Sequence, residues 1–341
     1  MRIYTEHRVI ARDEPPYLIA EIGLNHNGDR ARALALMRAA RDAGAHAAKF
    51  QLFRAEEFIA PDAALGENGP GSLADFFRTF EFSPEVWKEL AAYARSLGLD
   101  FLCSVFDETS LRLYGELEGR AVKIASGDLT HRLLLEKVAL LGLPVLLSAG
   151  MAAEEEIAAA LALFPRDYPL VLMECVSSYP ADPADYNLNA LPVWEKKFGV
   201  LTGISDHCLS SGLSIAAVGL GARVIEKHFT IDKNLPGADH GMSLEPGEFG
   251  LLAREARSAF LGLGDGKKRC RPREEPVRES ARRSLRAARD IPAGAVLGRG
   301  DLLALRPGGG IPPGEYGTIL GKKIKKDLRK GEFLSSDNLW Q

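Results

Sequence analysis

Short apolar runs alternate with segments of helical periodicity along the first 262 residues. Eight runs have the length and composition of buried strands, at 17–23, 46–52, 99–105, 121–125, 144–148, 169–174, 200–204 and 222–227. After each run, apolar positions recur at helical spacing, at 30–43, 85–97, 108–117, 131–141, 153–164, 188–197, 211–220 and 246–262. Eight strands, each followed by a helix, predict a (β/α)₈ TIM barrel over roughly 17–262.

A doubly wound open sheet is the alternative fold for the same alternation. Its dinucleotide-binding form carries a G-x-G-x-x-G turn after a strand, and no predicted strand here is followed by one. The barrel is therefore the better prediction. One connection, 53–81, is too long for a simple turn, and such an insertion usually covers a site or is partly mobile.

The composition of the sequence changes after the last predicted helix. Residues 264–280 are charged and interrupted by proline, which predicts a linker between a catalytic barrel domain at 1–263 and a small domain at 281–341. Short apolar runs between Gly and Pro turns predict that the small domain is β-rich. It has twelve Lys/Arg against six Asp/Glu, which is typical either of a solvated face or of attraction to an anionic substrate or surface.

Composition and charge narrow the functional class. With 46% apolar and 26% charged residues, the 341-residue chain is typical of a globular protein, and a net charge of −3 argues against general nucleic-acid binding. The four cysteines show no C-x-x-C spacing, which indicates reduced thiols. Neither a secretory signal nor an apolar run of about eighteen residues is found, so we expect a cytoplasmic protein with no membrane partner.

Polar side chains concentrate where the predicted strands end. In a TIM barrel all these ends open at one mouth, where active sites lie. The groups expected there are Glu21, Lys49, Gln51, Ser104, Asp107, Lys123, Ser126, Ser148, Glu174, Ser177, Tyr179, Ser205, Asp206, His207, Glu226 and His228.

Lys49 and Lys123 stand out because they lie inside apolar strands. Burying a lysine is costly unless an anion accompanies it, so the pair favours binding of phosphate or carboxylate. Either lysine could instead form a Schiff base, as in class I aldolases. Lys123 with Ser126 is more typical of a phosphate clamp.

His207 and His228 follow two consecutive strands that are joined by one helix. Such strands are usually neighbours, so the two imidazoles are close enough to share one ion. This arrangement favours a divalent metal with positions open to water or substrate. Otherwise each histidine only caps a strand or satisfies a loop.

Seven motifs follow one another along the chain: AEIGLNHNG at 20–28, KFQ at 49–51, KIASGD at 123–128, SAGM at 148–151, SYP at 178–180, GISDH at 203–207 and EKHFT at 226–230. In this order they resemble the N-acylneuraminate (sialic acid) synthases, a family that includes legionaminate and pseudaminate synthases. The C-terminal module, with Arg306-Pro307-Gly308, resembles their antifreeze-like (SAF, β-clip) domain.

The resemblance implies condensation of phosphoenolpyruvate with an N-acylated mannosamine-type sugar, giving a nonulosonic acid and phosphate through C–O cleavage. It implies Mn²⁺, or alternatively Mg²⁺ or Co²⁺, held by His207 and His228. It also implies a domain-swapped homodimer in which Arg306 enters the partner's site. The residues that it assigns to phosphoenolpyruvate are Lys49, Ser104, Lys123, Ser126, Ser148 and Ser205. Those that it assigns to the neighbourhood of the sugar or metal are Glu21, Gln51, Tyr179 and Asp239.

Glu21, Lys49, Lys123 and His228 are the expected catalytic residues, with Glu21 handling a proton or orienting water. Three positions depart from the family pattern: Ser104 and Cys208 stand where threonine is common, and Ser177 stands where some members have asparagine near the sugar. The acceptor therefore stays open among N-acetylmannosamine, its 6-phosphate and 2,4-diacetamido-6-deoxy sugars. A class I pyruvate aldolase using Lys123 is the alternative function.

Overall fold

The chain begins with an antiparallel hairpin that the sequence pattern does not predict. In the computed structural model, which describes residues 1–64 and 71–340, its strands are β1 (Arg2–Tyr4) and β2 (Val9–Ala11). Three residues per strand are too few for an alternating pattern to stand out. Ile3 and Ile10 oppose each other and are buried with the apolar side chains inside the barrel, including Ala47 and Leu102. The hairpin thus packs against the amino ends of the barrel strands.

Eight parallel strands close into a barrel, as predicted, and the last strand pairs with the first. They are β3 (Tyr17–Gly23), β4 (Ala47–Leu52), β5 (Asp100–Val105), β6 (Val122–Ile124), β7 (Val145–Ser148), β8 (Leu170–Cys175), β9 (Leu201–Ser205) and β10 (Val224–His228). Sequential neighbours pair all round the barrel, including β9 with β10.

Ten helices belong to the described part of this unit, and eight of them match the predicted series. They are α1 (Arg30–Asp42), α2 (Ala55–Phe58), α3 (Leu73–Arg78), α4 (Pro84–Ser96), α5 (Glu108–Glu116), α6 (Arg132–Leu140), α7 (Glu154–Leu161), α8 (Ala190–Phe198), α9 (Gly212–Gly219) and α10 (Pro246–Leu263). Two of them, α1 and α5, start after the side-chain caps Asp29 and Asp107, which accept hydrogen bonds from backbone N–H groups of the first turn. None of the described helices is long and apolar enough to cross a lipid bilayer.

Alternation along each strand sorts side chains between two cores. On β3, Leu18, Ala20 and Ile22 pack with the surrounding helices, whereas Tyr17 and Ile19 join the cluster inside the barrel. Because successive side chains point to opposite faces, Glu21 continues the inward series at the carboxyl end of the strand. The same alternation directs polar side chains at the carboxyl ends of other strands into the mouth of the barrel.

The long insertion at 53–81 contains two short helices, α2 and α3, which the sequence pattern does not predict. Residues 65–70 of this insertion lie outside the described residues. Its described parts are held by an aromatic cluster in which neighbouring ring centroids lie 4.8 to 6.0 Å apart. The cluster consists of Phe53, Phe58, Phe76, Phe77, Phe80 and Phe106, with Leu24.

The second compact unit, Asp265–Gln341, follows the barrel unit Met1–Gly264. It has helix α11 (Glu275–Ala281), an antiparallel pair β11 (Ser284–Ala287) and β12 (Leu302–Leu305), and helix α12 (Tyr316–Ile319). Isolated bridges such as Ile291 with Leu328 extend the β structure, which confirms the β-rich prediction. Most of α11 lies within the predicted linker segment 264–280. With seven residues, this helix is too short to show periodicity in the sequence.

Candidate active site at the carboxyl end of the barrel

Two lysines and two glutamates meet inside the mouth of the barrel. Lys49 Nζ lies 2.6 Å from Glu21 Oε2 and 3.6 Å from Glu226 Oε1, and Lys123 Nζ lies 3.7 Å from the same Glu226 atom. All four side chains are buried, with residue exposures of at most 4%. Their formal charges cancel, so the centre of the site is a balanced cluster in which Glu226 joins both lysines.

Burial and pairing act in opposite directions on these groups. Burial lowers the pKa of a lysine, but Glu21 and Glu226 outweigh it at Lys49, whose pKa is raised. At Lys123 burial prevails over Glu226, and the pKa is lowered. Burial would raise the pKa of Glu226, yet Lys123 and Lys49 together hold it well below its usual range. Glu226 is therefore the stable anionic partner of the pair.

Serine hydroxyls from three strands complete the cluster. Lys49 Nζ donates to Ser104 Oγ at 2.9 Å, and Lys123 Nζ donates to Ser148 Oγ at 2.7 Å. Ser205 Oγ donates to Glu226 Oε1 at 3.1 Å. Hydroxyl and ammonium donors side by side suit an oxyanion, since charge-assisted hydrogen bonds are the strong ones.

Gly150 brings two further serines to the same wall. Its N–H donates to Ser126 Oγ at 3.0 Å. A Cβ at Gly150 would come within 2.6 Å of Ser177 Oγ and 2.8 Å of Ser126 Oγ. Only glycine therefore leaves room for both hydroxyls beside this part of the backbone.

Gly23 has the same effect on the opposite side of the mouth. A Cβ there would lie 2.9 Å from Glu21 Oε1, and 3.3 Å from both Gln51 Nε2 and Asp239 Oδ2. Its φ of +49° also favours glycine. Gln51 Nε2 donates to Glu21 Oε1 at 3.3 Å, so Glu21, Gln51 and Asp239 converge over one glycine.

The two histidines lie together, with ring centroids 5.4 Å apart. His207 Nδ1 donates to Val176 O at 2.7 Å, which leaves Nε2 as the lone-pair nitrogen, 3.5 Å from Ser205 Oγ. Burial, with the neighbouring His228, lowers the pKa of His207 to about 3. His228 Nδ1 is buried without a hydrogen bond, 3.5 Å from Asp239 Oδ2.

This geometry fits a divalent metal. A neutral imidazole with its other nitrogen held by a carbonyl is the form in which histidine binds metal, and a buried nitrogen without a hydrogen bond is free to do so. Within the described ranges no three His, Cys, Asp or Glu side chains form a ready metal-binding group. The pair would therefore leave most positions of an ion to water and substrate.

Tyr179 and Arg306 are the two most exposed of the predicted site residues. The Tyr179 ring is 4.3 Å from the ring of His207, and the residue is 57% exposed. Arg306 lies directly after β12 in the second unit and is also exposed. Apart from three strand-end carboxylates, the barrel structure brings together the other predicted residues, and the role of Arg306 in a partner's site stays a prediction.

Several polar residues at strand ends face away from the mouth. Asp107 accepts from Ser110 N and caps α5, and Glu174 accepts from Asn187 N at 3.1 Å. Asp206 accepts from Ser214 Oγ at 2.6 Å on the helix side of the barrel. The expectation that these carboxylates line the mouth is wrong, because each lies one residue away from an inward position.

Three supporting residues receive no specific role in the sequence analysis, although it expects Glu226 at the mouth of the barrel. Glu226 lies two residues before His228, so strand alternation places both inward and was the available signal. Lys227, between them, lies on the outer side and pairs with Asp206 at 3.3 Å. Tyr186 Oη accepts from His207 N at 2.9 Å and donates to Ser205 O at 3.2 Å, from an irregular segment without a pattern.

Comparisons with known proteins show the family to which the chain belongs. The NeuB family matches residues 36–268, and the SAF domain matches residues 282–339. An N,N'-diacetyllegionaminic acid synthase from Legionella pneumophila is 38% identical over 337 residues, which are 95% of this chain and 94% of that protein. The N-acetylneuraminate-9-phosphate synthase of Mus musculus is 33% identical over 342 residues, 97% of this chain and 95% of that protein.

A solved structure gives the same result. The crystal structure of N-acetylneuraminic acid (sialic acid) synthetase from Leptospira borgpetersenii, in complex with citrate, superposes with a TM-score of 0.74 at 34% identity. The match covers 81% of this chain and 95% of that one. The chain therefore belongs to the NeuB family, as its resemblance to the sialic acid synthases predicts, and it ends in a SAF domain.

Proposed function

We propose that the barrel mouth condenses phosphoenolpyruvate with an N-acylated amino sugar, giving a nonulosonic acid and phosphate. The observation that carries this proposal is the pair of buried lysines, Lys49 and Lys123, each bound to a serine hydroxyl beside two neighbouring histidines. Relatives of this chain are named as synthases of legionaminic acid and of N-acetylneuraminate 9-phosphate. The donor set matches an acid that carries both a carboxylate and a phosphate.

The two lysines hold the donor substrate by charge. Without substrate, Glu21 and Glu226 neutralise Lys49 and Lys123. The oxyanions of phosphoenolpyruvate take over part of this pairing, and the hydroxyls of Ser104, Ser126, Ser148 and Ser205 supply further donors. Because these donors are fixed before the substrate arrives, they need no reorganisation during the reaction.

His207 and His228 would hold a divalent metal, with Mn²⁺ proposed first and Mg²⁺ or Co²⁺ as alternatives. Such an ion would supply Lewis-acid polarisation of a carbonyl oxygen, which is what an aldehyde acceptor needs. The charge balance of the site favours a cation there, because the four central charges cancel and the incoming substrate is an anion. Asp239 Oδ2 lies 3.5 Å from His228 Nδ1, beside the position proposed for the ion.

The reaction proceeds through carbon 3 of the enol phosphate, which attacks the aldehyde carbon of the open-chain sugar, while the aldehyde oxygen takes up a proton and becomes a hydroxyl. Positive charge then develops at carbon 2, and water adds there with loss of a proton. We assign to Glu21 the task of orienting that water or receiving the proton, and the position of its carboxylate between Lys49 and Gln51 supports this assignment. The tetrahedral intermediate expels phosphate together with the bridging oxygen. In this route Lys49 and Lys123 stay non-covalent and act by position and charge.

A class I aldolase is the second candidate, and the lowered pKa of Lys123 favours it. A Schiff base needs a neutral amine, which burial promotes. Borohydride reduction in the presence of pyruvate separates the two functions. The condensation proposal expects no mass increase on Lys123, and a trapped pyruvyl adduct would favour the aldolase.

The position proposed for the sugar is surrounded by Ser177, Gln51, Tyr179 and Asp239. In a domain-swapped homodimer, Arg306 would reach this position from the partner subunit. The planar fork of an arginine suits a carboxylate or paired hydroxyls.

All four cysteines are free, in keeping with the proposed cytoplasmic location.

Phosphate release from phosphoenolpyruvate tests the proposal directly. The acceptors to compare are N-acetylmannosamine, its 6-phosphate and a 2,4-diacetamido-6-deoxy sugar. We expect Mn²⁺-dependent release with one acceptor and essentially none without sugar. Release that is independent of sugar, or absent with every acceptor, would contradict the proposal.

A further inference from the structure

A second cavity lies at the amino ends of the barrel strands, away from the mouth. It has a volume of about 1050 Å³ and lies between the loop of the β1–β2 hairpin, the end of α1 and the middle of α10. Tyr17, the first residue of β3, borders this cavity, whereas Glu21, near the end of the same strand, belongs to the mouth. At about 3.3 Å per residue, the two places are roughly 13 Å apart along the strand.

Three arginines from different parts of the barrel unit border the cavity. They are Arg8 from the hairpin loop, and Arg254 and Arg257 from successive turns of α10. Within residues 1–64 and 71–340, no carboxylate lies within ion-pair distance of any of the three. Their charges are therefore available to a ligand.

The acidic residues of the same wall are already engaged by other arginines. Glu6 pairs with Arg95 at 3.1 Å, and Glu14 pairs with Arg2 at 2.8 Å. Asp42, at the end of α1, pairs with Arg41 at 3.0 Å. Glu14 shares Arg2 with Asp13. Because each carboxylate of this wall already has an arginine partner outside the cavity, Arg8, Arg254 and Arg257 remain the charged groups of the cavity that can pair with an anion.

The pKa of His46 shows the electrostatic effect of the nearby arginines. Burial, together with the nearby charges of Arg8 and Arg257, lowers this pKa to about 4. Its Nδ1 accepts from Leu18 N at 3.0 Å, so the neutral ring carries its proton on Nε2 and can donate. The ring stacks on Tyr17 with centroids 5.8 Å apart, and Tyr17 Oη in turn donates to Asp100 at 2.6 Å. The imidazole is thus held in place as a donor.

We propose that this cavity binds a phosphate-bearing small molecule through Arg8, Arg254 and Arg257. Arginine recognises phosphate through paired N–H donors, and three arginines on two elements can surround one phosphoryl group. The volume exceeds what phosphate needs and lies at the upper end of typical ligand pockets, so an organic body has room beside Pro15, Pro16 and Ala253. This site is separate from the proposed active site and does not depend on it.

Calorimetric titration with inorganic pyrophosphate tests the proposal on the full-length chain. The test variant is Arg254→Gln/Arg257→Gln, and the matched control is Arg112→Gln/Arg132→Gln, which removes the same charge from exposed positions on α5 and α6. Both variants keep the mouth of the barrel intact. Their difference in pyrophosphate binding therefore reports the second cavity alone.

We expect the test variant to bind one pyrophosphate fewer, or to bind it roughly 10-fold or more weakly, while the control matches the wild type. Rising salt should weaken this binding event in the wild type. Arg8→Gln, on the exposed hairpin loop, should give the same loss if the double variant folds poorly by circular dichroism. Equal stoichiometry and affinity in the control, the Arg8 variant and the wild type would overturn the proposal.

Discussion

Glu226 shows how one residue organises the site at the smallest scale. It contacts both lysines and accepts from Ser205, so it keeps three groups of the proposed substrate site together before any substrate arrives. Removing one partner of a buried ion pair costs several kcal/mol, roughly 3–5, because the remaining charge is left unpaired. The substrate must therefore bring enough negative charge to share the lysines with Glu226, which an enol phosphate does.

His207→Ala tests the assignment of the metal. Loss of a ligand should weaken Mn²⁺ binding by more than the roughly 10–100-fold that loss of a supporting residue costs. Electron paramagnetic resonance of free Mn²⁺ measures the affinity without any need for turnover. His131→Ala, at the start of α6, is the matched control and should bind Mn²⁺ like the wild type. Wild-type affinity in the His207 variant would refute the assignment.

His26 predicts a specific pH dependence of stability. Its ring is buried against Phe82, with centroids 4.6 Å apart, and Nδ1 accepts from Gly28 N. Burial lowers its pKa to about 4, below the usual value of about 6.5 in an unfolded chain. The neutral ring therefore stabilises the fold above about pH 6.5, and this contribution, at most about 3 kcal/mol, is lost as the pH falls toward 4.

Urea denaturation at pH 7 and pH 4.5 measures this effect. His26→Gln keeps an acceptor but does not titrate, so the free energy of unfolding should fall less between the two pH values than in the wild type. His7→Gln, an exposed position, should behave like the wild type. An identical pH dependence for His26→Gln and wild type would show that the buried ring contributes nothing.

At the scale of elements, the turn after β9 is tied to β10 from outside the barrel. Lys227 Nζ pairs with Asp206 at 3.3 Å and donates to Ser210 O at 3.0 Å. Asp206 also accepts from Cys208 N at 2.9 Å and from Ser214 Oγ. Since these residues alternate with the histidines along the two strands, the outer contacts fix how the inner ones meet.

A double-mutant cycle on Asp206 and Lys227 tests whether the two side chains are energetically coupled. Lys227→Met leaves Asp206 buried without its cation and should lower the free energy of unfolding by roughly 3–5 kcal/mol. Asp206→Asn/Lys227→Met removes both charges and should cost less than the sum of the two single variants. Chemical denaturation measures all three. Strictly additive losses would mean that the pair is not coupled.

Most of the main elements are predictable from sequence because they are long and periodic, and the short strands β6 and β7 are predictable because each lies in a longer apolar run. Eight strands and eight helices follow the apolar pattern, and glycine and cap residues such as Asp29 and Gly199 mark their ends. The hairpin, α2 and α3 have three to six residues each, too few for a period to be visible.

Within the candidate site, the inward lysines and histidines are predictable for a similar reason. A lysine in an apolar strand or a histidine at its end contrasts with its surroundings. Whether Asp206 and Glu174 point into the mouth or away from it depends on their position along the strand, because a shift of one residue reverses the direction of a side chain. The sequence near a strand end does not determine this position to within one residue. The part played by Tyr186 depends on tertiary folding of an irregular segment and has no local signal.

At the scale of the whole molecule, the two units have separate hydrophobic cores. The barrel core lies within residues 3–256, and the core of the second unit runs from Leu285 to Leu339. We therefore expect a chain cut after Gly264 to keep the circular dichroism of a folded barrel. Its rate of phosphate release should nevertheless fall sharply, because Arg306 is lost.

The full-length variant Arg306→Gln separates the arginine from the rest of the second unit. It should lose activity to a similar extent while its thermal unfolding stays near that of the wild type, since Arg306 is exposed. Arg299→Gln, another exposed arginine of this unit, is the control and should retain activity. Full activity in the truncated chain would contradict the role of the second unit in the reaction.

In the proposed reaction, the barrel mouth joins phosphoenolpyruvate to an acylated sugar while the lysines stay non-covalent. Phosphoenolpyruvate with oxygen-18 in the bridging C–O–P position tests it most directly, with mass spectrometry of both products. We predict a sugar product enlarged by the three-carbon keto acid unit, and the label in the released phosphate. Label retained in the keto acid, or phosphate released without the enlarged product, would contradict the account.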